Sequence, residues 1–389
     1  MWGSEGKGTI SIVIANAAIV GYFSSVFAGS STSFFARKYK TEEVLGYAYL
    51  ASIIIGILVP LVFSFASVQE EYLFYLIGIS VCSSLLSTNI SLFIGTQNIQ
   101  MFNLYTVLQQ LMHIVFIVVF IYIFNYKEVS VYFSAQIFCF AFLFVLSFLQ
   151  IIKSCKISNI KFPKNVFKDM FEYGWKTQLS AFIQFLNYRL SFYFLEYFEG
   201  ISAVGIFSIG ITLSEAIWTI TRSIAVILYS DVVNSKSSEE SIEKTKSSLK
   251  ISFILMLVFV LGIILIPSQV YELIFGRAFR ETKVLLLLLS PGIFAIAVSD
   301  MIGYYFSGIK ELRILNIKSI AGLVITVVFS FLVIPRWGIL GACLVTTASY
   351  IVSAGILFWK FYKTTDFQFK DYLVTKAEIN IFFKVISKK

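Results

Sequence analysis

Eleven long apolar runs divide the chain, at 9–35, 44–66, 72–95, 104–124, 131–152, 174–195, 204–230, 249–266, 284–308, 317–334 and 339–361. A helix of about 20 apolar residues crosses the hydrocarbon core of a bilayer, so each run is predicted to be a membrane-spanning helix. The polar positions that interrupt these runs carry the information about function. The run at 204–230, VGIFSIGITLSEAIWTITRSIAVILYS, holds Glu215 and Arg222 near its middle. A charge there costs about 2.5–3.5 kcal/mol on insertion scales, so such residues face a protein-lined or water-filled interior rather than lipid. Glu215 and Arg222 are seven residues apart and project from nearly the same helix face. Arg189 lies in the preceding run, Asp300 in the run at 284–308, and His113, the only histidine, in the fourth run beside Gln109 and Gln110.

The connections between runs are short, and their basic residues are unevenly shared. One side holds Arg37, Lys38 and Lys40, the lysines from Lys153 to Lys168, those from Lys236 to Lys250, Lys310, Arg313 and Lys318, and the C-terminal lysines, twenty-two in all against six on the other side. Loops rich in Lys and Arg stay in the cytoplasm. The C-terminus is therefore expected inside and, with eleven spans, the N-terminus outside. The longest connection, 153–173, interleaves its lysines with Ile160, Phe162, Val166, Phe167 and Phe171. That pattern suits an interfacial helix drawn to anionic membrane lipid. It divides the chain into an N-terminal bundle of five helices (1–152), a basic linker (153–173), a C-terminal bundle of six helices (174–361) and a cytoplasmic tail (362–389).

A weak internal repeat supports that division. The stretch 8–38, GTISIVIANAAIVGYFSSVFAGSSTSFFARK, and the stretch 205–236, GIFSIGITLSEAIWTITRSIAVILYSDVVNSK, share a leading Gly, a Ser–Ile step and a Ser/Thr-rich body. Parallel repeats of this kind recur in transporters. The repeat pairs the first run with the seventh and leaves the sixth without a counterpart. The expectation is an all-α polytopic membrane protein of two pseudo-symmetric bundles, with about 11 transmembrane helices, a twelve-helix architecture lacking its first.

Composition agrees. The chain has 389 residues, of which 58% are hydrophobic and only 14% charged; soluble domains carry about 25% charge. The net charge of +9 is accounted for by the cytoplasmic loops and gives no reason to expect nucleic acid. Cys82, Cys139, Cys155 and Cys343 are scattered without paired spacing, so neither a disulfide framework nor a metal site is expected. No P-loop, HExxH or acidic dyad on a long loop is present, no cofactor is implied, and the chain is not expected to be an enzyme.

The candidate chemistry is concentrated in the second bundle. Arg189 and Arg222 present permanent guanidinium charges that match phosphate oxygens, pointing to a phosphate-bearing lipid headgroup. Gln184 and Asn187 stand beside Arg189 as polar contacts for sugars. The plainer alternative is that the two arginines neutralise Glu215 and Asp300 as structural ion pairs, with Glu215 the obvious partner of Arg222. Glu215, Asp300 and His113 are the candidates for ion or proton coupling. The Ser/Thr clusters at 30–33 and 83–88 are expected to close helix–helix contacts.

The C-terminal third carries LIFG at 273–276, a Leu-rich span, the stretch 304–308 and IPRWGILGA at 334–342; the N-terminus carries GSEGKG at 3–8. Together these resemble the polysaccharide-export flippases of the multidrug/oligosaccharidyl-lipid/polysaccharide exporter superfamily. The resemblance implies two bundles around a central cavity and alternating access, coupled in that family to a cation gradient. It implies movement of an oligosaccharide on undecaprenyl diphosphate, as for O-antigen or capsule, from the inner to the outer leaflet of a bacterial cytoplasmic membrane, with polysaccharide-assembly proteins as possible partners. A multidrug cation antiporter of the same superfamily is the near alternative, and a polytopic polysaccharide-processing enzyme the more distant one.

Overall fold

The computed structural model describes residues 2–64, 70–154, 162–365 and Phe367. Residues 155–161 of the basic linker and nearly all of the tail beyond 365 fall outside the described residues. Within the described residues every regular element is helical. In chain order these are α1 (Gly3–Ala28), α2 (Ser30–Phe35), α3 (Thr41–Ser64), α4 (Leu73–Gly95), α5 (Ile99–Tyr122), α6 (Ser130–Ser154), α7 (Lys164–Glu199), α8 (Ile201–Val233), α9 (Ser238–Leu265), α10 (Ser268–Phe275), α11 (Thr282–Gly308) and α12 (Arg313–Thr365).

Nine helical segments among the described residues are long and apolar enough to cross a membrane. One of them, α12, is two helical arms joined at Gly338, which adopts φ +51°. An L side chain is strained in that region, and a Cβ there would also press on the Glu199 carboxylate. Counting the two arms separately and adding α7 recovers the eleven expected spans. α7 is less apolar than the others because Gln178, Gln184, Asn187 and Arg189 interrupt it.

The packing separates into two compact units, and the division falls inside α7, between Phe185 and Leu186. In the first unit α4 is the central helix and packs against α3, α5 and α6. Leu76, Ile79, Leu86 and Leu92 of α4 meet Phe133, Leu143 and Ile151 of α6 in its core. In the second unit α11 plays the same part, packed against α8, α9 and α12, with Met301, Ile302 and Phe306 buried among Leu228, Leu249, Leu357 and Phe361. α4 is the third long helix counted from α1, and α11 the third counted from α8. The two units are thus built on the same plan, as the repeat implies.

Lipid tails supply no hydrophobic drive to hold helices together, so small side chains and interhelical hydrogen bonds do so. The Ser24 and Ser84 hydroxyls meet at 2.7 Å between α1 and α4. Asn89 donates to Ser147 at 2.7 Å and accepts from Tyr49, tying α4 to α6 and α3. The Ser/Thr cluster at 30–33 serves this purpose: Ser31 donates to the carbonyls of Val26 and Met170, and Ser33 to that of Ser91. By contrast α5 turns Leu111, Ile114, Val115 and Val118 outward, as a lipid-facing helix does.

The first turns of α7 belong to the first unit and lie close against α1. Phe167 stacks on Phe27, and Phe182 meets Tyr22. Gly174 permits the approach, because a Cβ there would collide with the Val26 carbonyl oxygen and the Ser31 hydroxyl. Outside the apolar spans, the Tyr39 hydroxyl and the Lys38 ammonium both donate to Asp169, at 2.6 and 3.0 Å, and hold its carboxyl below the usual carboxylate range. Gly174→Ala is expected to destabilise the protein by about 1–3 kcal/mol, the usual effect of overpacking. Gly262→Ala, where a Cβ meets nothing within 4 Å, should be harmless. Apparent melting temperatures of the two variants in detergent provide the check; equal values would show that the α1–α7 approach is not tight.

Candidate functional site

Four of the seven candidate residues converge in the second unit, where the charges are sorted into two groups. The first is an ion pair between α7 and α8. Arg189 Nη1 lies 2.5 Å from Glu215 Oε1, and Nη2 lies 2.9 Å from Oε2. The planar guanidinium presents two parallel N–H groups to both carboxylate oxygens, the strong bidentate geometry. Both side chains are mostly buried, 24% and 28% exposed, and the guanidinium also lies 5.4 Å from the centre of the Phe192 ring.

The second group joins α8, α11 and α12. Arg222 stands beside Tyr304 and within electrostatic reach of Asp300. Asp300 in turn feels both Lys318 and Arg222. The Lys318 ammonium donates to Ser299 Oγ at 3.0 Å. Among the described residues Asp300 makes no ion pair within 4.0 Å. This group holds two basic residues and one acid, whereas the Arg189–Glu215 pair is neutral. Arg222 is exposed, and Asp300 and Lys318 are half-buried.

Glu215 and Arg222 therefore do not pair with each other. Seven residues along an α-helix put them about 10 Å apart along the axis. Helix neighbours meet at spacings of three or four. Glu215 instead pairs with Arg189 of α7, and Arg222 stands beside Tyr304 of α11. An aromatic cluster of α7, α8 and α12 stands in the same unit. The Tyr188 ring lies 5.2 Å from Trp218 and 5.7 Å, edge to face, from Tyr350. Tyr188 and Tyr350 interact with charges of both groups.

The other candidates are placed elsewhere. Asn187 is buried, and its Oδ1 accepts from Thr326 at 3.0 Å and Ser349 at 2.6 Å, so its carboxamide ties α7 to both arms of α12. Gln184 is half-buried on the part of α7 that belongs to the first unit. His113 is also in the first unit, with Nε2 3.4 Å from the Tyr132 carbonyl oxygen and its ring edge-to-face on Tyr132. Lys318 was expected in a cytoplasmic loop, yet it lies inside α12 and reaches across to α11. Its position five residues after Arg313, the first residue of that helix, is the signal that could have revealed it. Among the described residues no group of three His, Cys, Asp or Glu side chains converges as a metal site requires.

No protein-family model matches the chain. Solved structures do. The chain is similar to an inward-facing multidrug resistance MATE family transporter of the MOP superfamily, with TM-score 0.76 over 94% of this chain and 91% of that one at 16% identity. The fold is that of the MOP-superfamily transporters. The lipid II flippase MurJ shares it too, with TM-score 0.68 over 99% of this chain and 90% of that one at 14% identity. Among curated proteins, the capsular polysaccharide biosynthesis protein CapF of Staphylococcus aureus is 27% identical over 215 residues, 54% of this chain and 54% of that protein. This chain thus spans about half the length of that relative in the match. The chain shares its helical fold with a MATE transporter and with the MurJ flippase.

Proposed function

We propose that the chain is a flippase for an oligosaccharide carried on undecaprenyl diphosphate, moved from the inner to the outer leaflet of a bacterial cytoplasmic membrane by alternating access. The observation that carries this reading is the excess positive charge of the Arg222–Asp300–Lys318 group. An exposed guanidinium in a spanning helix faces water or a ligand rather than hydrocarbon. Its permanent charge and fork of donors match a diphosphate. A transporter of cationic drugs is better served by surplus carboxylates, and here the second carboxylate, Glu215, is already bound to Arg189.

Asp300 is the carboxylate best placed to couple export to a cation gradient, since it is not held in a direct ion pair among the described residues. The polysaccharide part of the reading draws support from the capsular polysaccharide relative. The termini are assigned by the basic loops, with the C-terminus in the cytoplasm and the N-terminus outside. Assembly proteins for the same polysaccharide are the natural partners, and the function is transport rather than catalysis.

The test is translocation by the purified chain in proteoliposomes loaded with an undecaprenyl-diphosphate-linked oligosaccharide, scored by lectin access to the opposite leaflet. Protein-dependent exposure of the glycan is expected. Export of a lipophilic cationic dye with no glycan movement would replace this reading by the drug-exporter one.

A further inference from the structure

A second binding feature lies wholly within the first unit. A cavity of about 420 Å³ opens among α1, α4, α5 and α6, within the ~300–1,000 Å³ typical of small-ligand sites. Its wall carries hydroxyls and carboxamides and no charged side chain. Ser24 and Ser84, paired with each other, form one part of that wall. Among the described residues the side chains of Ser25, Ser87, Gln109 and Gln136 make no protein hydrogen bond. The carbonyl oxygen of the Gln136 side chain is fully buried and unpartnered. A buried acceptor left unsatisfied costs about 1–3 kcal/mol, so this arrangement calls for a donor from outside the protein. Phe140, Ile79 and Ile14 complete the wall with apolar surface. Gly21 lines the cavity, and a Cβ there would meet no atom within 4 Å, so a side chain at this position has open space to enter.

The chemistry of such a wall is selective. Without a carboxylate it is a poor site for a cation, and without Lys or Arg a poor site for phosphate. Unpaired amides and hydroxyls also disfavour a hydrocarbon chain. What fits is a neutral group that offers hydroxyl donors and acceptors at its edge and C–H surface on its faces. We propose that this cavity binds a neutral sugar residue of the transported glycan. The proposal rests on the flippase reading and assigns to the first unit a glycan-binding subsite that is chemically separate from the basic group in the second.

The test uses the purified full-length chain in detergent, with N-acetylglucosamine and glucose as probes observed by saturation-transfer NMR. Geranyl diphosphate serves as a separate probe of the basic group. Wild-type protein is expected to transfer saturation to at least one sugar. Gly21→Leu, which fills the cavity, should abolish the transfer and leave geranyl diphosphate affinity unchanged. Gln136→Leu, which removes the orphan acceptor at nearly constant volume, should weaken sugar binding about tenfold or more. It also keeps the test decisive if the leucine at position 21 perturbs folding. Sugar transfer that persists undiminished in Gln136→Leu, or no transfer in wild type because the cavity holds water only, would overturn the subsite. In either case retained diphosphate binding would leave the flippase reading standing, whereas loss of diphosphate binding in wild type would remove that reading itself.

Discussion

Replacing Glu215 with alanine is expected to reduce the yield of folded protein sharply, and adding Arg189→Met to the same chain is expected to recover most of it. Both oxygens of the carboxylate are engaged by the guanidinium, at 2.5 and 2.9 Å, in a site only about a quarter exposed. Removing one member of such a pair leaves the other charge in a poorly solvated place, which costs about 3–5 kcal/mol when burial is complete. The residual exposure here places the expected loss toward the lower end of that range. Removing both charges takes away the desolvation penalty along with the attraction and is often close to neutral when volume is kept; methionine keeps most of the volume at 189 while alanine leaves a gap at 215, so most of the yield rather than all of it should return. Size-exclusion profiles and melting temperatures of Glu215→Ala, Arg189→Met and the double variant measure this. A double variant no better folded than Glu215→Ala alone would mean that Glu215 stabilises the fold by some other contact.

The second large effect concerns ligand affinity. Arg222→Ala is expected to weaken geranyl diphosphate binding by about one to two orders of magnitude. Charge-assisted hydrogen bonds contribute about 1.5–3 kcal/mol, and each 1.4 kcal/mol is about tenfold in affinity. Arg222→Lys should recover only part of the loss, because an ammonium keeps the charge but not the planar fork. Lys318→Met should weaken binding less, since its ammonium is already engaged by Ser299 and lies near Asp300. Equal affinity in wild type and Arg222→Ala, with both proteins folded, would exclude Arg222 as the phosphate ligand.

The span count was legible because each helix needs its own apolar run, and the Ser/Thr cluster at 30–33 was legible as a packing contact because small hydroxylated residues are what membrane helices use to approach one another. The cluster at 83–88 serves packing only in part, since Ser84 meets Ser24 while Ser83 and Ser87 line the cavity of the first unit. The break between the runs at 317–334 and 339–361 was legible too, since Pro335 and Gly338 fall where α12 bends, and only Gly338 leaves helical geometry. The pairing of charges was not legible. Helix periodicity says that Glu215 and Arg222 share a face, but which neighbouring helix meets each end of that face is decided by tertiary packing. Lys318 was hidden for a related reason, since a lysine one turn into a helix looks the same in sequence as a lysine in the preceding loop. The cavity in the first unit was hidden because its polar wall is assembled from four helices, each contributing only a few of the residues that line it.

The claim that this chain selects an anionic cargo is tested most directly by titrating the purified wild-type protein with geranyl diphosphate and, separately, with tetraphenylphosphonium. Saturable binding of the diphosphate, weakened by added salt as an exposed charge requires, with negligible binding of the cation, is the result expected from the Arg222–Asp300–Lys318 group. Preferential binding of tetraphenylphosphonium would contradict it.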